Sequence, residues 1–306
     1  MQTIHANYKK VNTAGGTAVA IGNFDGLHKG HMKLINLLKE KAKERGIPSV
    51  VYTFSEHPKN VMCGKGTQKL IYNNEIKEEL FKESKIHTLF FEEFLNVCNL
   101  SPEEFVKEIL VDKFNIKVAV IGLNGRFGKA SCGDAKKLKE FGRIYGFDVF
   151  VVEPFVSDDI ICSSTAIRES IGLGEFEKCK NLLGRNYAVK GEVTGDKHLG
   201  RTYGYPTANI VPDKSRPDIK KGVYATNTRI GEKVYKSITN VGTTSFDTPE
   251  TERIETHILD FNGDLYGKTI EVEFLYYMRD FKSFVNTDEL KMQLDEDKKE
   301  RKFGGC

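Results

Sequence analysis

The stretch TAVAIGNFDGLHKGHMKLINLLKEKAKERG (residues 17–46) decides the fold of the first half of the chain. Its opening run, TAVAI, is short and apolar and predicts a β-strand. The residues after His31 place their leucine, isoleucine and methionine side chains on one broad face, which predicts an amphipathic helix that stops at Gly46. A glycine-rich turn lies between the two. This order of strand, turn and helix predicts an α/β domain with a parallel sheet.

Further short β-branched or aromatic runs follow along the first half. They occupy residues 49–54, 87–91, 118–122 and 148–153, and longer amphipathic stretches alternate with them. Ser101, Pro102 and Glu104 form a capping-box pattern that predicts a helix as far as about Val111. The alternation supports a β/α/β arrangement up to about residue 183.

After Tyr187 the alternation of strand-like and helical segments gives way to strand-like segments alone. Five strand-like segments, AVKGEV, GVYATNTRI, KVYKSITNV, THILDF and IEVEFLYY, follow one another with turn residues between them. A charged stretch over residues 287–301 predicts one closing helix. We therefore expect an α/β domain over residues 1–183 and an all-β domain, a small antiparallel barrel, over residues 184–306.

The composition is that of an ordinary folded protein. Of 306 residues, 29% are charged, and 46 basic against 43 acidic residues give a net charge of +3. No apolar run approaches the roughly 18 to 20 residues of a membrane span, and no signal peptide is recognisable at the start. Neither half has the basic excess that phosphate-backbone binding needs. We expect a cytoplasmic protein with reduced cysteines and no nucleic-acid or membrane partner.

The turn GNFDGLHKGH (residues 22–31) is suited to binding phosphate. It follows a strand and runs into a helix, where α/β sheets bind anions with backbone N–H groups. Gly22, Gly26 and Gly30 allow close approach of the backbone to a ligand. His28 and His31 are three residues apart, on one helical face, and both imidazoles would point to a triphosphate.

GNFDGLHKGH resembles the signature of the HxGH nucleotidyltransferases, and in particular the adenylyltransferase module of bacterial bifunctional riboflavin kinase/FAD synthetases. Three further segments match that family in order: TFSEHP (53–58), IGLNGRFGKASCGD (121–134) and CSSTAIRESI (162–171). The resemblance implies a Rossmann-like nucleotidyltransferase domain that transfers AMP from ATP to FMN. Such a transfer needs stabilisation of charge on the α-phosphate more than a protein nucleophile.

The resemblance also implies roles for particular residues. His28 and His31 would contact the ATP phosphates, and Ser164, Thr165 and Arg168 would hold the leaving pyrophosphate. The residues implied to shape the ATP site are Gly22, Asn23, Phe24, Asp25 and Gly30, and those implied to bind flavin are Asn124, Arg126 and Phe127. The family usually has Asp-Phe where this chain has Asn124 and Gly125.

A second motif, GRTYGYPTANI (residues 200–210), lies in the all-β half. Thr207 and Asn209 are two residues apart on an extended segment, so both side chains point the same way and can hold a hard cation with phosphate oxygens. A β-turn with satisfied polar side chains would explain the tetrapeptide PTAN about as well.

The surroundings of this motif resemble the riboflavin kinase domain along nearly all of residues 185–303. The resemblance implies that Thr207 and Asn209 bind magnesium-ATP and that Glu255 is the base for the terminal ribityl hydroxyl. His257 and Arg279 are the implied flavin contacts of this domain. Two departures occur: the segment from residue 242 to 255 is one residue short, and Asp196 stands where the family has glycine.

These observations favour a bifunctional enzyme that uses magnesium-ATP twice, with riboflavin, FMN and FAD as its other ligands. A second hypothesis keeps FAD synthesis and makes the barrel a weak or inactive kinase that binds flavin, as the two departures would allow. A third is a flavin-sensing binding protein with both sites decayed. Class I aminoacyl-tRNA synthetases also carry HxGH, but the chain lacks their lysine-rich second signature. The oligomeric state is left open.

Overall fold

The computed structural model describes residues 1–194, 207–242, 253–282 and 287–303. The chain divides into two compact units, Met1–Ala166 and Ile167–Cys306. In the described part of the chain, none of the helices is both long enough and apolar enough to cross a membrane.

The first unit is built on a six-stranded sheet in which all neighbouring strands are parallel. Its strands are β1 (Gln2–His5), β2 (Thr17–Ile21), β3 (Ser49–Phe54), β4 (Thr88–Glu92), β5 (Ile116–Gly122) and β6 (Asp148–Val152). The five strands that the sequence predicts are confirmed. The edge strand β1 was not predicted, and it pairs with β4.

Helices cover both faces of this sheet, and a short hairpin follows it. The helices are α1 (Lys29–Glu44), α2 (Pro58–Cys63), α3 (Asn74–Ser84), α4 (Pro102–Glu104) with a π-helical continuation (Phe105–Val111), and α5 (Ala135–Tyr145). The hairpin consists of β7 (Val156–Ser157) and β8 (Ile160–Ile161). The predicted capping box of Ser101 and Glu104 is present at the start of α4.

Successive side chains of β2 point to opposite faces of the sheet. Ala18 and Ala20 pack with residues of α1 and α3, whereas Val19 and Ile21 pack with the π-helical segment and α5. The unit therefore has an apolar layer on each face, as a parallel sheet covered on both sides requires.

The strand order β1-β4-β3-β2-β5-β6 determines where a ligand can bind. After β2 the chain moves outward through β3 to β4, and it then returns to place β5 on the other side of β2. The loops that follow β2 and β5 therefore leave the sheet at the point where the strand order reverses. Ligands of open α/β sheets bind at such a point, beyond the carboxyl ends of the strands.

The second unit is a closed antiparallel barrel with helices against it. Its strands are β9 (Tyr187–Thr194), β10 (Thr207–Ile210), β11 (Gly222–Ile230), β12 (Lys233–Gly242), β13 (Arg253–Ile258) and β14 (Thr269–Arg279). Two helices precede it, α6 (Ser164–Leu173), which spans the division between the units, and α7 (Phe176–Leu183). The predicted closing helix is α8 (Thr287–Phe303).

The barrel interior combines aromatic rings with a chain of buried hydroxyls. Phe176 of α7 stacks on Phe274 with ring centroids 4.7 Å apart, so α7 packs on the barrel. Five hydroxyls form one continuous chain with O···O distances of 2.7 to 2.9 Å, in the order Thr228, Ser237, Thr226, Thr239 and Thr256.

The sequence places the boundary between the two domains at residues 183 and 184. This boundary stays a prediction about where the two activities separate.

Helix α8 is held on the barrel by a buried arginine. Arg301 is 4% exposed, and its guanidinium donates to the Thr226 carbonyl at 2.9 Å and to Asn227 Oδ1 at 2.6 Å. A guanidinium buried in this way is stabilised only where its donors find acceptors, so these bonds fix the position of the helix.

Candidate functional sites in the two units

The turn between β2 and α1 has an unusual backbone. Phe24 (φ 49°), Gly26 (φ 78°) and Leu27 (φ 39°) all have left-handed conformations. Two of these residues carry side chains, for which such a conformation costs on the order of 1 kcal/mol or more. It persists only where neighbouring groups hold it.

Four donors from other parts of the chain hold this turn in place. The carbonyl of Asn23 accepts from Thr53 Oγ1 at 3.2 Å and from Lys77 Nζ at 3.1 Å. The Asp25 side chain accepts from the backbone N–H of Ile71 at 3.0 Å, and the Asp25 carbonyl accepts from Ser164 Oγ at 2.9 Å. Residues 22–28 are therefore fixed before any ligand binds. We use the name braced loop for residues 22–28.

The two histidines lie together at the end of the braced loop, as the sequence predicts. Their rings stack with centroids 3.6 Å apart and an interplanar angle of 16°. His28 is the N-cap of α1, and its Nδ1 accepts from the backbone N–H of His31 at 3.3 Å. Because Nδ1 is an acceptor, the proton of the neutral ring is on Nε2, which is a donor suited to a phosphate oxygen. A Cβ at Gly30 would lie 3.1 Å from the His28 ring.

A buried lysine lies beneath this loop, and the sequence reasoning missed it. Lys77 of α3 is 8% exposed, and its Nζ is 5.8 Å from the centroid of the Phe91 ring. Burial lowers the pKa of Lys77 to about 8, and the nearby Asp25 carboxylate opposes this shift. The signal was available in the sequence, because Lys77 precedes the buried residues Phe81 and Ser84 by four and seven positions, on the same face of α3.

The other residues predicted for this site lie in different surroundings. Asn124 and Arg126 are exposed in the loop after β5, at the same sheet edge as the braced loop. Phe127 is buried in the core, with its ring centroid 5.6 Å from that of Phe105. Thr165 is exposed and Arg168 is half-buried, both on α6. The roles of these five residues stay predictions.

The barrel presents a row of polar residues on its outer face. Strand register pairs Glu255 of β13 with Asn209 of β10 on one side and with Asn240 of β12 on the other. Thr207 Oγ1 donates to Glu255 Oε1 at 2.8 Å. Thr256, the next residue of β13, is fully buried and points into the barrel, so the alternation of side chains along the strand places Glu255 on the outer face. The structure thus brings together three residues that the sequence singled out, Thr207, Asn209 and Glu255.

Asn240 is a second residue that the sequence reasoning missed. It lies within residues 185–303, which resemble the riboflavin kinase domain, but the sequence analysis assigns it no role. Its Oδ1 is buried and has no hydrogen-bond partner among the residues that the structure describes. Its position beside Glu255 follows from the pairing of β12 with β13, which the sequence alone did not supply.

A cavity of about 540 Å³ opens next to Thr207. Its walls include Val193, Phe261, Asp264 and Tyr266, so apolar and polar groups are mixed. A volume of this size falls within the range of cavities that hold small organic ligands, roughly 300 to 1,000 Å³.

The two flavin contacts predicted for the barrel differ in their surroundings. Arg279 forms a two-pronged ion pair with Asp297 of α8, with N···O distances of 2.9 and 2.7 Å. Register places Arg279 opposite Val223 on β11, two strands away from Asn240. His257 is half-buried and pairs with Thr207 across β10 and β13. Both flavin roles stay predictions.

The donors at the barrel site suit magnesium better than a softer metal. Thr207 and Asn209 offer a hydroxyl and an amide oxygen, which are hard oxygen ligands. Within the described ranges, no group of three or more His, Cys, Asp and Glu side chains could hold a metal ion. Magnesium commonly binds through few protein ligands together with substrate phosphates, so this donor set fits it. Asp196 and residues 243–252, where the family departures fall, lie outside the described residues.

Comparison with known proteins finds two families in successive parts of the chain. The family model described as FAD synthetase matches residues 10–166, and the model described as riboflavin kinase matches residues 183–303. The first match ends where the first compact unit ends.

Individual relatives match over nearly the whole chain. The bifunctional riboflavin kinase/FMN adenylyltransferase of Haemophilus influenzae is 32% identical and covers 97% of each chain. That of Bacillus subtilis is 32% identical and covers 98% of this chain and 97% of its own. A crystal structure from Streptococcus pneumoniae, named a macrolide-efflux protein, is 31% identical, covers 100% of both chains and has a TM-score of 0.91. The chain belongs to the bifunctional riboflavin kinase/FMN adenylyltransferase family.

Proposed function

We propose that the barrel phosphorylates riboflavin to FMN and that the first unit transfers AMP from ATP to FMN, forming FAD and pyrophosphate. We assign phosphorylation to residues 184–306 and adenylyl transfer to residues 1–183, which comprise the first unit together with the rest of α6 and with α7. One observation carries the proposal: each unit holds its own group of side chains suited to phosphate chemistry, the histidine pair in one and the row around Glu255 in the other.

In adenylyl transfer, a phosphate oxygen of FMN attacks the α-phosphorus of ATP. The bond from that phosphorus to the bridging oxygen breaks, and pyrophosphate leaves with the electron pair. His28 and His31 stabilise the charge that develops on the phosphate oxygens, while Ser164, Thr165 and Arg168 hold the pyrophosphate. Charge stabilisation by preorganised donors is the main contribution that a protein makes to such a reaction.

Several residues act by shaping the same site. The braced loop supplies Gly22, Asn23, Phe24 and Asp25, and Gly30 leaves room for the His28 ring. We assign flavin contacts of this unit to Asn124 and Arg126 of the loop after β5. Phe127 supports that loop from the core, because its ring packs on Phe105.

In phosphorylation, the terminal ribityl hydroxyl of riboflavin attacks the γ-phosphorus of ATP, and ADP leaves. Glu255 accepts the proton of that hydroxyl. Thr207 orients the carboxylate through its hydrogen bond of 2.8 Å. Magnesium supplies charge neutralisation of the phosphates when bound, and Thr207 and Asn209 are the residues that would hold it. The cavity beside Thr207 offers room for the nucleotide, and His257 and Arg279 are assigned to the flavin.

The test is to incubate the purified chain with riboflavin, ATP and magnesium and to separate the flavins by chromatography. We expect FMN to appear first and FAD to follow. FAD from supplied FMN but not from riboflavin would support the weak-kinase hypothesis instead. Flavin binding with no product from either substrate would overturn the proposal. The cytoplasmic location and the lack of nucleic-acid or membrane partners stay predictions from the sequence.

A further inference from the structure

Asn240 is a polar residue of the barrel to which the proposed reaction gives no role. It lies on the outer face of β12, because its neighbours Thr239 and Val241 are fully buried inside the barrel. Strand register places it directly opposite Glu255, so the two side chains share that face, with Cβ atoms about 5 Å apart. Asn240 is therefore next to the residue that we assign as the base.

The side-chain amide of Asn240 lacks a partner where one is expected. Its Oδ1 is buried and accepts no hydrogen bond from any residue that the structure describes. A buried acceptor in this state destabilises the folded chain, and most buried polar atoms in proteins are paired. The cost is explained if a bound ligand supplies the missing partner.

The order of the row indicates which ligand this is. Asn209 on β10 and Asn240 on β12 flank Glu255, about 10 Å apart at the backbone, because neighbouring strands are about 4.8 Å apart. We assign Thr207 and Asn209 to magnesium-ATP, so the γ-phosphorus belongs on the β10 side of Glu255. In-line transfer holds the attacking oxygen at Glu255 with phosphorus on one side, so the carbon chain that carries this oxygen leaves toward β12 and Asn240.

The chemistry of the Asn240 amide favours the same partner. A phosphate oxygen only accepts hydrogen bonds and a magnesium ion binds only oxygen, so each suits one end of an amide. A hydroxyl both donates and accepts, so it can pair with either end. Rotation about the Cβ–Cγ bond of an asparagine has broad preferences, so either end of the amide can turn to the ligand.

We infer that Asn240 is a binding residue of the phosphorylation site, whose amide pairs with the ribityl hydroxyl next to the terminal one. This contact holds the chain in place while Glu255 accepts the proton of the terminal hydroxyl. The inference deepens the proposed function and rests on its assignment of Glu255 as the base and of Thr207 and Asn209 to magnesium-ATP.

The experiment compares Asn240→Ala with Asn209→Ala, which remove the same amide on opposite sides of Glu255. Riboflavin phosphorylation is measured with either riboflavin or magnesium-ATP varied. We expect Asn240→Ala to raise the KM for riboflavin about tenfold, through loss of one hydrogen bond, and the KM for ATP less than about twofold. Asn209→Ala should raise chiefly the KM for ATP. If Asn240→Ala raises chiefly the KM for ATP, or neither KM, the inference is wrong.

A substrate analogue identifies the hydroxyl that Asn240 contacts. The analogue is riboflavin whose ribityl chain lacks the hydroxyl next to the terminal one. The wild type should lose about tenfold in kcat/KM on this analogue, whereas Asn240→Ala should lose less than about twofold, because its partner is already missing. Equal losses in the two proteins would overturn the assignment of this contact.

Thermal stability distinguishes a binding role from a structural one. Removal of a buried acceptor that has no partner leaves a protein as stable or more stable, whereas removal of a side chain that supports the barrel destabilises it. We therefore expect Asn240→Ala without ligand to melt at or above the wild-type temperature, and riboflavin to raise its melting temperature less than that of the wild type. A lower melting temperature with an unchanged KM for riboflavin would show that Asn240 is structural.

Two further variants complete the test. Asn240→Ser shortens the side chain and should also raise the KM for riboflavin selectively, so it serves if Asn240→Ala does not fold. Glu255→Gln separates failure of this inference from failure of the proposed function. If Glu255→Gln abolishes phosphorylation while both Asn240 variants behave as the wild type does, only the role of Asn240 is wrong. If the wild type forms no FMN, or if Glu255→Gln forms it normally, the barrel assignment fails and the inference fails with it.

Discussion

The two sites of this chain achieve their geometry in different ways. In the first unit, Asn23 and Asp25 belong to a loop with left-handed residues, and side chains from β3, α3 and α6 hold it. In the barrel, Asn209, Glu255 and Asn240 are neighbours because three paired strands place them in one row. The first arrangement depends on individual hydrogen bonds, and the second depends on the register of a whole sheet.

This difference has a consequence for mutational sensitivity. A loop held by a few donors loses its geometry when one donor is removed, so residues that never touch substrate should affect adenylyl transfer. A row set by strand pairing keeps its geometry when a supporting side chain is shortened, because the backbone ladder remains. Phosphorylation should therefore respond mainly to changes in the reacting residues themselves.

The largest expected effect is that of Glu255→Gln on the barrel. The variant keeps the shape of the side chain but loses the acceptor for the ribityl hydroxyl proton, so riboflavin phosphorylation should fall by roughly a hundredfold or more. FAD formation from supplied FMN should be unchanged, and the free energy of unfolding should stay within about 1 kcal/mol of the wild type. Near-normal phosphorylation by this variant would exclude Glu255 as the base.

The ion pair between Arg279 and Asp297 allows a test of the flavin assignment. Asp297→Asn removes the charge partner of a largely buried arginine and should lower the free energy of unfolding by about 2 kcal/mol. We expect it not to raise the KM for riboflavin. Arg279→Lys should raise that KM, because a lysine cannot reproduce the planar guanidinium. If both variants change stability alone, Arg279 anchors α8 and does not bind flavin.

A matched pair of threonine-to-valine changes tests the contrast between the loop and the barrel. Thr53→Val removes one donor to the braced loop and should lower FAD formation about fivefold, the equivalent of about 1 kcal/mol. Thr239→Val breaks the buried hydroxyl chain inside the barrel and should cost about 1 to 2 kcal/mol of stability. It should leave the kcat and KM of riboflavin phosphorylation unchanged. The contrast fails if Thr53→Val alters stability alone or if Thr239→Val slows phosphorylation.

The smallest expected effect concerns Glu92 at the end of β4. Burial raises the pKa of this carboxyl above its usual value of 4.5, although hydrogen bonds from Asn96, Tyr8 and Tyr52 partly oppose the shift. The folded state then holds the proton more tightly than the unfolded state. Glu92 therefore contributes stability below pH 4.5 that is lost as the pH rises through the raised pKa.

Denaturant unfolding of the wild type and Glu92→Gln at several pH values measures this contribution. The stability of the wild type relative to the variant should decline as the pH rises from 4.5 toward 7, because Gln does not titrate. A relative stability that is constant or increases with pH over this range would contradict the direction of the shift.

Much of the architecture could be predicted from the sequence because local patterns agree with it. The strands at 17–21 and 49–54 match the structure to the residue, and the closing helix begins at the predicted Thr287. Strand β1 could not be recognised, because four residues of mixed polarity carry little periodicity and become a strand by pairing with β4.

The candidate sites were predictable as motifs but not as arrangements. The spacing of His28 and His31 indicated a shared face, and the structure confirms it. The support given by Lys77, Thr53 and Ser164 was not predictable, since contacts between residues 30 to 139 positions apart depend on the tertiary fold. The buried position of Phe127 has the same cause.

The central claim is that this chain carries two separate sites, and mixing two variants tests it most directly. His31→Ala should still make FMN, and Glu255→Gln should still convert FMN to FAD. Incubated alone with riboflavin, ATP and magnesium, each should form little FAD, whereas an equimolar mixture should form at least about tenfold more than either. A mixture that forms no more FAD than the two variants do separately would contradict the account.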